Sequence, residues 1–166
     1  PLWRNVMRFI NLSAVLALAV VVQPAASTEL QPVGPKLTPK LKKLLTDEMR
    51  AVNQASAGIV QALAAGDHVT VAKLAQNIHD SFILEKKLTD KDKHDLEMAV
   101  PPAFLDLDGA FHLTAEKLAE AARHKDGDLQ TYYFGRMLEM CQTCHSRFAS
   151  DRFPGFGSKP PATHAH

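Results

Sequence analysis

The chain has 166 residues, 46% of them hydrophobic and 22% charged, with 19 Lys and Arg against 18 Asp and Glu. That length and balance describe one ordinary globular domain with a real core, and nothing in them calls for a second. A near-neutral chain without basic runs argues against nucleic-acid binding, which depends on neutralising phosphates.

At the N-terminus Arg4 and Arg8 precede an apolar run from Phe9 to Val22, followed by the small residues of "QPAAS". This is the pattern of a secretory signal peptide over residues 1–27, cut after Ser27 or Ala26. The run includes Asn11 and Ser13 and spans 14 residues, whereas about 20 apolar residues cross a bilayer, so an uncleaved membrane anchor is the lesser reading. Without residues 1–27, which hold Arg4 and Arg8 and no acid, 17 basic side chains face 18 acidic ones, a net charge of −1. Such a charge steers no particular partner from a distance.

Residues 28–37 begin the proline-rich stretch "TELQPVGPKLTPK" and read as a linker that cannot propagate a helix. From Thr38, apolar residues Leu41, Leu45, Met49, Val52, Ile59 and Leu63 recur at helical spacing, with Lys42, Lys43, Asp47, Glu48 and Arg50 assigned to the polar side. Gly66 ends this helix and Asp67 caps a second, whose apolar face runs from Val71 through Ile78 to Phe82. The charged "EKKLTDKDKHD" reads as a solvated loop with at most a helical turn. A third helix follows Pro101 and Pro102 and stops near "HKDGD"; a fourth begins near Asp128 and carries Cys141 and Cys144. No stretch alternates with period two, so the expected fold is all-α, an antiparallel bundle of four helices over residues 38–152. The Pro- and Gly-rich residues 153–166, with His164 and His166, read as a flexible tail.

The only cysteines are those of "MCQTCHSRF". A disulfide three residues apart within a helix would close too small a loop to act as a staple. A thioredoxin-like pair needs a strand leading into a helix N-terminus, and none precedes these thiols. A closed zinc site needs four ligands, and no second pair exists. Covalent haem explains both the spacing and the adjacent histidine. Thiols at i and i+3 on a helix face one way and reach two vinyl groups, while the imidazole of His145 can bind the iron. A redox thiol pair is the competing reading.

With that motif on its last helix, the stretch 38–150 resembles the class II c-type cytochromes, the cytochrome c prime family. The resemblance rests on "CQTCHSRF" near the C-terminus, the all-helical pattern, and a proline before the third helix. Class I cytochromes instead carry the motif near the N-terminus with a methionine after it, and no methionine follows His145. The resemblance implies one haem c on the C-terminal helix of a four-helix bundle, bound through Cys141 and Cys144, with His145 as proximal ligand. It places the distal position on the first helix, where Met49 is the candidate ligand of a low-spin electron carrier. A methionine on an apolar face is more often core filling. Were Leu45 or Val52 to cap the iron, the protein would be a five-coordinate binder of nitric oxide or carbon monoxide.

Met98, Met137 and Met140 are weaker distal candidates, as are His79 and His112; His68, His94 and His124 are expected in solvent. Phe148 is expected on the proximal side. Where the family commonly has a basic residue this chain has Ala149, so Arg147 or Arg152 is expected to reach a propionate. Phe82, Phe104, Phe111, Tyr132, Tyr133 and Phe134 are expected to supply several walls of the haem pocket. The implied protein is not an enzyme, since no distal acid–base pair is evident. It is a periplasmic electron carrier with redox partner proteins, and family members often form homodimers through the first two helices.

Overall fold

The computed structural model describes residues 30–81 and 88–156. Every regular element among them is helical: α1 (Pro39–Ala65), α2 (His68–Asp80), α3 (Asp90–Ala99), α4 (Pro102–Arg123) and α5 (Gly127–Phe148), with short 3-10 turns at Gly34–Lys36 and Pro154–Phe156. The segment 1–27 expected to be a signal peptide, Phe82, His164 and His166 lie outside the described residues. No helix among the described residues is long and apolar enough to cross a membrane.

Local chemistry sets the helix ends. Thr38 accepts the Leu41 N–H ahead of Pro39, which suits a first helical position because it has no N–H to leave unpaired. Gly66, at φ 66°, closes α1 in the left-handed region open to glycine. Asp67 and Asp126 then accept N–H groups of Thr70 and Leu129 at 3.0 and 2.9 Å, starting α2 and α5. α2 packs most extensively on α4, α4 on α5, and α1 on α2, whereas α1 and α5 touch sparsely. One apolar cluster holds Ile59, Val71, Ile78, Leu118 and Met137. A second gathers Val33, Leu37, Leu41, Leu96, Phe104 and Phe148.

Three segments differ from their sequence reading. The ten-residue α3 begins within the expected charged loop, because Thr89 and Asp92 form a reciprocal capping box and Lys91 pairs with Asp95 one turn on. Its Leu96 then enters the second cluster. The linker is packed from Gln31 onward: Gln31 and Val33 donate their N–H groups to the carbonyls of Arg147 and Phe148 at 2.7 and 2.9 Å. Those carbonyls end α5 and have no partner within the helix. Lastly, residues 153–156 of the expected loose tail form a turn against the end of α5.

At Gly58, where α1 faces α2, an added Cβ would lie 2.7 Å from Leu74 Cδ1, so that a branched side chain must displace Leu74. Gly58→Val is expected to lower stability by about 1–3 kcal/mol through overpacking, measured by urea denaturation.

Candidate functional site

The cysteines occupy the seam between the two apolar clusters, Cys141 packed against the first and Cys144 against the second. Three residues of separation on α5 turn both toward a narrow cleft. Its empty space, counting the open mouth, is about 360 Å³. α5 lines it with Met140, Cys141, Cys144 and His145, α1 with Met49 and Val52, and α4 with Leu107, Asp108 and Phe111. The structure thus brings Met49 to the same cleft as His145 and both thiols. A larger recess of about 600 Å³ between α1 and α2 carries no thiol, imidazole or carboxylate in its lining.

Burial decides the protonation of these groups. It pushes the Cys141 thiol above its ordinary pKa. Cys144 is pushed up to about 12, first by burial and then by the charges of Asp108 and Cys141, against an opposing pull from Arg147. Both are thiols at neutral pH, and Cys144 lies near the C-terminal end of α5, where the dipole opposes a thiolate. Disulfide exchange proceeds through a thiolate, so this environment disfavours a redox thiol pair. Burial pushes His145 the other way, below the usual imidazole range, which keeps a lone pair available for a metal. Among the described residues no three His, Cys, Asp or Glu side chains converge as a metal-ion site; an axial haem ligand needs only one such group.

The other candidates separate clearly. Met140 lines the cleft, Met137 is buried in the first cluster, and Met98 is exposed. Leu45 packs on the second cluster, leaving Val52 as the aliphatic residue of α1 in the cleft. His79 donates through Nδ1 to the carbonyl of His112 at 3.2 Å, and neither ring lines the cleft. His68 is half-buried beside Gln130, not in open solvent; His94 and His124 are exposed. Phe148 is held edge to face with Phe104 in the second cluster, centroids 5.6 Å apart, and does not line the cleft. Of the named aromatic residues that are described, Phe111 alone lines it. Phe104 and Phe134 fill the two cores, and Tyr132 is exposed. Arg147 stacks over Phe148, and its buried Nε has no hydrogen-bond partner among the described residues. Arg152 is exposed and lies outside the cleft lining.

Behind the cleft lies a polar group that the helical stripes concealed. Glu48, assigned to the polar side of α1, is fully buried. His112 Nε2 faces its Oε1 at 3.3 Å and Asp108 Oδ1 at 3.9 Å, while His112 Nδ1–H donates to the Ile78 carbonyl at 2.8 Å. A carboxyl group, Asp108, therefore borders the cleft with an imidazole behind it, where no acid–base pair was evident from the sequence. The available signal was register: Glu48 falls seven residues after Leu41, and Asp108 four after Phe104 and three before Phe111. No protein-family model, curated protein or solved structure matches this chain.

Burial, then the nearby charge of Glu48, pushes Asp108 up to about 7, with His112 pulling the other way. Burial also pulls His112 down, but the Glu48 hydrogen bond and the two carboxylate charges outweigh it and leave His112 raised. The folded state therefore holds a proton at Asp108 that the unfolded state releases near pH 4, so this contribution is present below about pH 4 and lost as pH rises through about 7. Asp108→Asn is expected to gain stability relative to the parent between pH 5 and pH 8, read from paired denaturation midpoints.

Proposed function

We propose that this chain is an exported monohaem c-type cytochrome that carries single electrons, its iron held by His145 and Met49. The observation that carries this reading is the single cleft that Met49 of α1 shares with Cys141, Cys144 and His145 of α5. A c-type haem supplies a one-electron couple through its iron. Cys141 and Cys144 would each add S–H across one vinyl C=C bond, sulfur to one carbon and hydrogen to the other, with no net oxidation. His145 offers a neutral imidazole, and Met49 a thioether from across the cleft. Leu107, Phe111 and Val52 would exclude water. The unfilled Arg147 Nε is a donor suited to a propionate.

The sparse packing of α1 on α5 supports the seating of a flat group along this seam, where the two helices make few contacts with each other. In this reading α1, α2, α4 and α5 form the antiparallel four-helix bundle of the cytochrome c prime family, with α3 as an added helix. Export follows from Arg4, Arg8 and the Phe9–Val22 run, and the partners are redox proteins of the periplasm.

Purified protein is expected to show covalently bound haem with low-spin ferric and ferrous bands and a methionine-to-iron band that Met49→Ala abolishes. A high-spin unmutated protein that binds carbon monoxide or nitric oxide would instead establish the five-coordinate alternative. Covalent haem that survives Cys141→Ser combined with Cys144→Ser would overturn the attachment scheme itself.

A further inference from the structure

His145 reaches the cleft from the last turn of α5, and its ring is not left to turn freely. The phenyl ring of Phe153 lies against it face to face, with centroids 4.1 Å apart and planes 10° from parallel. Rotation of the imidazole about its Cβ–Cγ bond would break that stack.

The turn that carries Phe153 is itself held. Arg152 and Phe153 donate their N–H groups to the Ala149 carbonyl at 2.9 and 3.1 Å, and Phe156 returns an N–H to the Phe153 carbonyl at 3.0 Å. Pro154, next in the chain, confines the Phe153 backbone to extended conformations. On the same helix end, Gln31 and Val33 bind the carbonyls of Arg147 and Phe148. The platform under the stack is thus fastened from both ends of the domain.

Phe153 belongs to neither apolar cluster and is 40% exposed, so the core does not require it. Yet its ring is kept on the one imidazole that lines the cleft. We infer that Phe153 is a positioning residue for His145: it sets the angle of the imidazole plane and shields the outer face of the ring from water. The inference rests on the proposed role of His145 as iron ligand, since the plane of an axial imidazole governs its orbital overlap with iron. Groups that orient a metal-binding histidine in this way are part of how a protein tunes the metal.

The test compares Phe153→Leu, which keeps an apolar side chain without a stacking face, with Phe153→Tyr, which keeps that face. All proteins carry covalent haem, quantified after denaturation. Proton NMR of the ferric form reads the four hyperfine-shifted haem methyl resonances, whose order and spread report the imidazole plane. Phe153→Leu is expected to reorder or compress these shifts, and Phe153→Tyr to restore the parent pattern at unchanged haem content. A parent pattern in Phe153→Leu would overturn the inference while leaving the cytochrome reading intact. Failure of the unmutated chain to hold covalent haem would overturn both. Far-UV circular dichroism checks that each variant folds; should Phe153→Leu not fold, a pattern in Phe153→Tyr unlike the parent's would equally overturn the positioning role.

Discussion

The contact on which the rest of this structure turns is the one between the imidazole of His112 and the carboxylate of Glu48. His112 belongs to α4, Glu48 to α1, and the other ring nitrogen of His112 donates to the Ile78 carbonyl of α2. A single ring thereby ties three helices at one level. Apolar contacts alone tolerate sliding, because one aliphatic side chain replaces another at little cost. A buried carboxylate offset by one helical turn would lose its imidazole and keep its desolvation penalty. The polar contact therefore fixes register more strictly than it adds stability. Its neighbours inherit that register: Met49 follows Glu48, and Asp108 and Phe111 flank His112 on the cleft side.

The same arrangement sets the electrical character of the cleft. Its walls are mostly apolar, yet Asp108 stands at one edge with a carboxyl oxygen, Oδ2, that has no hydrogen-bond partner among the described residues. Outside the cleft lining, near the end of α5, the buried Arg147 Nε is a donor with no hydrogen-bond partner among the described residues. A group in the cleft that brought a polar atom to Asp108 would satisfy what the chain there leaves open. An apolar ligand alone would not.

The helix limits were legible because they depend on local chemistry: Thr38, Gly66, Asp67 and Pro102 announce their roles by residue type and position. So did the pairing of Cys141 with Cys144 and His145, which one turn of helix places together. Burial of Glu48 was not legible by the same means, since residue type alone sends a glutamate to solvent and only its register with Leu41 argues otherwise. α3 was hidden by its charge, because a short helix held by a capping box and an ion pair needs few apolar residues. The stack of Phe153 on His145 depends on a turn whose hydrogen bonds are backbone to backbone. Such bonds leave no mark on side-chain pattern.

The pairing of Gln31 and Val33 with the end of α5 joins the first described residues to nearly the last. Contacts so far apart in sequence form late in folding, after the loop entropy between them has been overcome. The last turn of α5, which bears His145, therefore depends on a segment more than a hundred residues earlier, and removing residues 31–33 would leave the carbonyls of Arg147 and Phe148 without those partners.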